Sequence, residues 1–98
     1  MKKYRIEIKP TAENDLVSRY AQIEKESPQH AVSWYLGIVD AIEKLDELAD
    51  RCPIAPEDVD IQRGIRHLIV GDYRVLYAVQ DDTVHVLHVR HSRHDRKL

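Results

Sequence analysis

The sequence predicts an α+β fold in which a helical hairpin packs on one face of a small, mainly antiparallel four-stranded sheet, in the order β-α-α-β-β-β. Three observations predict it. Apolar and polar residues alternate through residues 73–80, the period of a half-buried strand, and a turn signal flanks that run on either side. Apolar residues recur at helical spacing from Ala12 to Ile23 and again from Ala31 to Leu48. Lys9-Pro10, Ser27-Pro28 and the two-proline segment 50–58 punctuate these blocks. The 98 residues are expected to form one domain with one modest core.

Residues 4–9, YRIEIK, read as a first strand that ends at Lys9-Pro10, because proline cannot continue a ladder. Thr11 is then the expected N-cap of a helix carrying Ala12, Leu16, Tyr20 and Ile23. Ser27-Pro28 signals a second helix, a capping hydroxyl followed by proline at the first helical position. Its apolar stripe comprises Ala31, Trp34, Tyr35, Ile38, Ala41, Ile42, Leu45 and Leu48 and covers about six turns. Gly37 within the stripe is read as a close approach of the helix to a neighbour. Segment 50–58 has no usable period and reads as a loop. Residues 66–93 then read as three strands in series, joined at Gly71-Asp72 and at residues 80–83. The alternation puts Tyr73, Val75, Tyr77 and Val79 on one face and Arg74 on the other. The expected core joins Leu16, Trp34, Ile38 and Leu45 to Val75, Tyr77 and Val79, and leaves the opposite sheet face open and cationic.

Composition narrows the function classes. No 18-residue apolar run exists to span a membrane. Met1-Lys2-Lys3 leads directly into an alternating strand, without the apolar stretch of a signal peptide. A single cysteine, Cys52, excludes an internal disulfide and fits a reducing cytoplasm, the expected location. The net charge of −2 conceals an asymmetry. Residues 1–60 hold 8 Lys/Arg against 13 Asp/Glu, and residues 61–98 hold 7 against 4 together with five of the six histidines. The basic excess coincides with the meander and the tail, which makes that part the candidate functional surface. His85, His88, His91 and His94 are spaced by three, which alternates faces on a strand, so no metal site and no cofactor are expected.

The hairpin Gly71-Asp72-Tyr73-Arg74-Val75-Leu76-Tyr77, the strand from Val84 to Val89 and the ending Arg90-His91-Ser92-Arg93 follow a long helix with Trp34 and Ala41-Ile42-Glu43-Lys44-Leu45. In this order, and over nearly the whole chain, they resemble the RelE/ParE superfamily of toxins from bacterial type II toxin–antitoxin systems. The resemblance implies one of two activities. RelE-type toxins enter the ribosomal A site and cut mRNA, whereas ParE-type toxins act on DNA gyrase and need no nuclease residues. Either kind is held inactive by a cognate antitoxin whose disordered segment wraps around it.

The resemblance also implies site residues. Arg74 matches the arginine of the Tyr-Arg pair that RelE-like nucleases turn on the scissile phosphate, where a forked guanidinium can hold two oxygens. His91 and Arg93 stand at the strand end where the family has a His or basic pair, and with Arg74 they form the expected catalytic set. His91 would act as general acid or base. Arg66 and His67 point to opposite faces, and one of them is expected to join Arg74, with Arg90 and His94 as further substrate contacts. The lysines that RelE-like nucleases place on this strand are missing, since no lysine lies between Lys44 and Lys97. A pI near 6.3 is low for a protein that docks on ribosomal RNA. Ribosome-dependent mRNA cleavage is nevertheless the first expectation, with gyrase inhibition, or a non-toxic binding module that kept the fold, as alternatives.

Overall fold

Tight turns with left-handed backbone, Gly71 at φ 59° and Asp81 at φ 56°, fold the second half of the chain into a three-strand meander. A computed structural model describes residues 3–91. Its elements are β1 (Arg5–Ile8), α1 (Pro10–Glu26), α2 (Pro28–Glu43), α3 (Leu45–Leu48), α4 (Asp58–Ile61), β2 (Arg66–Val70), β3 (Tyr73–Gln80) and β4 (Thr83–His91). The sheet order is β1-β4-β3-β2, with β2, β3 and β4 antiparallel and β1 parallel to β4. The sheet is therefore mixed, and the parallel pair is the one feature that a wholly antiparallel reading would miss. A bulge shifts the β3–β4 register, so that Leu76 faces His88 while Tyr77 faces Val86.

The helices cover one face. Ala12, Leu16, Ile38, Ile42 and Leu45 pack on Val75, Tyr77, Val84, Val86 and Val89, with Trp34, Tyr73 and Val79 partly buried at the margin. All seven expected core residues thus join one cluster. Full burial of a side chain such as Ile38, Ile42 or Leu45 contributes roughly 1.5–3 kcal/mol. The Tyr77 hydroxyl is buried with its ring and donates to the Ala49 carbonyl at 2.7 Å. Burial pushes the pKa of this phenol up, so it stays a donor.

Most local signals hold in the structure, with three exceptions. Ser27 does cap α2, its Oγ accepting from His30 N at 3.2 Å. Helix α1, however, begins at Pro10 with Lys9 as its cap, because a proline that ends a strand is also well suited to the first turn of a helix. Thr11 lies inside that turn and gives its hydroxyl to the Leu87 carbonyl at 2.6 Å. The long apolar stripe is interrupted at Lys44, between α2 and α3. Gly37 is exposed, and a Cβ built there would meet nothing within 4 Å, so it marks no close approach.

The part of β4 beyond β1 and the outer edge of β2 are both tied down. Strand β1 accompanies β4 only as far as Val86, and the start of α1 then takes over. Lys9 N donates to Val86 O at 2.9 Å, Thr11 holds Leu87 O, and the Asp15 carboxylate accepts from Val89 N at 3.0 Å. At the other edge, residues 53–55 run beside β2, with Ala55 N donating to Ile65 O at 2.8 Å and His67 N to Pro53 O at 3.1 Å. Covered edges of this kind remove a template for unwanted strand pairing. Among the described residues no helix is long and apolar enough to cross a membrane.

Candidate functional site

Arg74 lies on the sheet face away from the helices, as its place in the alternation requires, but the part of that face around it is covered. The loop between α3 and β2 folds over it. Asp58 closes the loop by accepting from Arg63 N at 2.8 Å and Ile65 N at 3.0 Å, and these bonds hold its pKa below the usual carboxylate value. Gln62 takes left-handed backbone at φ 54° to end α4. Ala55 and Ile65 then pack on Leu76, with Leu87 beside them, as a second small core.

This folding brings Glu57 onto Arg74. The guanidinium donates from Nη1 to Oε1 at 2.9 Å and from Nη2 to Oε2 at 2.5 Å, a forked pair in which Arg74 is only 5% exposed. The hydrogen bonds from Arg74 hold the Glu57 carboxyl below its ordinary pKa despite burial. His67 completes the cluster, its Nδ1 lying 3.3 Å from Arg74 Nη1. A guanidinium can only donate, so Nδ1 accepts and the ring proton sits on Nε2. Burial, seconded by the Arg74 charge, lowers the His67 pKa and keeps the ring neutral.

The question of which residue joins Arg74 is thereby settled in favour of His67. Arg66 points to the helical side and donates to the Cys52 carbonyl. Arg90 sits directly across from Arg74 in the β3–β4 register. His91 instead faces Tyr73, ring to ring at 5.2 Å, on the helical side of the sheet. Arg74 and His91 therefore occupy opposite faces. Arg93 and His94 lie outside the described residues. The expectation of an exposed cationic face needs correction at Arg74, because the chain's own loop covers that part of the face and a carboxylate neutralises the arginine. Glu57 had no signal of its own in a loop without periodicity. A forked cation on a covered face nonetheless demands a carboxylate somewhere.

A second feature stands on the outside of the helical hairpin. Leu16, Val17 and Tyr20 of α1 and Tyr35 of α2 line an apolar groove of about 330 Å³. Tyr20 and Tyr35 meet edge to face at 5.9 Å. Val17 is 68% exposed and Leu36 60%, with Val32 also exposed. Val32, Tyr35, Leu36 and Val39 stand at i, i+3, i+4 and i+7, so α2 has a second apolar stripe turned away from the core. That spacing was legible in the sequence. No three His, Cys, Asp or Glu side chains gather closely enough to hold a metal among the described residues.

The fold has known relatives. It matches the solved chromosomal ParDE toxin–antitoxin system from P. aeruginosa with a TM-score of 0.76 and 18% identity, over 91% of this chain and 96% of that one. The toxin–antitoxin complex RelBE2 from Mycobacterium tuberculosis matches with a TM-score of 0.60 and 24% identity, over 91% and 98% of the two chains. These identities establish the shared fold alone. No curated protein sequence matches the chain. The model of one family, the ParE toxin of the type II toxin–antitoxin system parDE, matches residues 6–96, and the chain belongs to that family.

Proposed function

We propose that this toxin acts as ParE-type toxins do, on DNA gyrase, and not by cutting mRNA. The observation that carries this reading is the burial of Arg74 against Glu57. A nuclease arginine must meet developing charge on a phosphate, and a guanidinium already forked onto a carboxylate has no such capacity left. Within this reading Arg74 fixes the loop over the sheet, and His67 is a neutral acceptor beside it. The absence of lysine from β2 and the acidic balance of the chain support the same choice. His91 stands across the sheet from Arg74, so the two do not form one reacting centre.

The partner reading follows from the same geometry. The apolar groove of α1 and α2, with its exposed apolar side chains, is the surface this reading gives to a cognate antitoxin. An amphipathic segment that folds on binding would fill it with apolar side chains spaced along one helical face. Inducing the wild-type chain while following mRNA integrity, translation and DNA breaks in parallel tests the target. Accumulating DNA breaks with intact mRNA, together with loss of supercoiling by purified gyrase, is the expected result. Cleaved mRNA with intact DNA would restore the nuclease reading.

A further inference from the structure

The apolar groove of the helical hairpin has an acidic frame. Glu13 stands one turn before Val17 on α1, Glu24 one turn after Tyr20, and Glu43 one turn after Val39 on α2. Spacing by four keeps each carboxylate on the helix face of its apolar neighbour. All three are exposed, and none has an ion-pair partner among the described residues. We infer that the groove receives a basic amphipathic helix of about three turns, apolar along one stripe and carrying Lys or Arg at both ends. The inference rests on the reading of this groove as the antitoxin's surface and adds the charge and length of the segment it takes.

The alignment of the two helices sets the length. Tyr20 and Tyr35 meet with ring centres 5.9 Å apart. Counting outward from that contact along an antiparallel hairpin puts Glu13 and Glu43 at one end of the groove and Glu24 at the other. Glu13 and Glu24 are 11 positions apart. At the helical rise that is about 16 Å, which a partner helix of about three turns spans when laid along the groove. Nearby cations do not cancel this frame. Lys44 is engaged by Asp40 at 3.1 Å, and Arg19 lies against the Tyr73 ring. Lys25 follows Glu24 but is turned about 100° further round the helix. A second copy of the chain placed face to face would set carboxylates against carboxylates, and an anionic lipid surface would be repelled in the same way. A helix with cationic ends meets opposite charge at both ends while its apolar stripe covers Val17 and Tyr35.

The test uses the purified full chain and two labelled synthetic peptides of about 15 residues, a little over four helical turns. Both carry the same leucine stripe at helical spacing, and they differ only in having Lys or Glu at both ends. The Lys peptide should bind at least about tenfold more tightly at low salt, and the gap should narrow as salt screens the rim. Glu24→Lys combined with Glu43→Lys changes two exposed positions near helix C-termini, where a cation is favoured, so the chain stays folded. In that variant the preference for the Lys peptide should vanish or invert. Val17→Asn wets the groove without adding charge and should weaken both peptides. Equal binding of the two peptides, both weakened by Val17→Asn, overturns the inference and leaves the antitoxin reading of the groove in place. Binding of neither peptide, or binding that Val17→Asn leaves unchanged, overturns both. Self-association of the chain in sedimentation, abolished by Val17→Asn, would assign the face to a second copy and overturn the inference as well.

Discussion

Glu57 and Arg74 face each other side on, two nitrogens to two oxygens at 2.9 and 2.5 Å, with side chains only 3% and 6% exposed. Taking two charges out of water costs more than their attraction returns unless the geometry is good, and leaving one without the other is worse. Glu57→Ala and Arg74→Ala should each lower stability by about 3–5 kcal/mol in urea unfolding. The double change Glu57→Leu with Arg74→Met should recover most of that loss. A double variant as unstable as the two singles combined would show that the pair is not coupled.

Two groups in this cluster make the fold sensitive to acid. The Glu57 pKa lies below 4.5 in the folded chain, so its contribution is present at neutral pH and fades as pH falls through that lowered value. The His67 pKa lies below 6.5, so as pH drops under 6.5 the unfolded chain gains a proton that the folded one resists. Both effects point the same way. Thermal midpoints should fall from pH 7 toward pH 4, and His67→Gln should remove the upper part of that decline. A midpoint that rises on acidification would contradict both assignments.

The core should not respond uniformly. Ile38 and Leu45 are fully buried, and replacing either by alanine should cost about 2–5 kcal/mol. Trp34 is only partly buried, and its ring N–H is buried without a hydrogen-bond partner among the described residues. Trp34→Phe removes that unpaired donor while keeping an aromatic ring against Tyr73, at 5.3 Å between ring centres. Its cost should stay under about 1 kcal/mol. Chemical denaturation of the three variants checks the order.

On the helical hairpin, Val17→Asp should leave the toxin folded, because Val17 is exposed, yet spoil the apolar groove that it lines. Its unfolding midpoint should stay within about 0.5 kcal/mol of wild type. Binding of the cognate antitoxin should weaken by at least about tenfold, the effect of charging an apolar contact. Growth rescue on co-expression reads this directly. Full rescue of Val17→Asp would place the antitoxin elsewhere.

Strands β2 to β4 were legible because each is a short apolar-rich run and the turns between them carry Gly71-Asp72 and Asp81-Asp82. The buried stripe of α2 was legible because a single period is kept over many residues. The start of α1 was not, since Lys9-Pro10 satisfies both a strand end and a helix start and only tertiary pairing decides between them. The largest miss was the covered sheet face. Residues 53–65 have no period, so nothing local says that Ala55 and Ile65 pack on Leu76 or that Glu57 reaches Arg74. The arginine was seen, but its counter-ion was not, and that changes the chemistry available to it.

Strand β1 sets Arg5 opposite Thr83 and Ile8 opposite Val86, so its partner is made very late relative to itself. The two-residue turns of the meander close at small entropic cost, whereas the β1–β4 pair closes nearly the whole length of chain between them. On the ribosome, helices α1 and α2 emerge long before the strands that bury their inner faces. The growing chain therefore shows apolar helix surface that the finished molecule hides, and that exposure ends only once residues 83–86 can reach β1. Synthesis itself sets a delay before the toxin has its completed surface, and a partner already present can meet the hairpin within that interval.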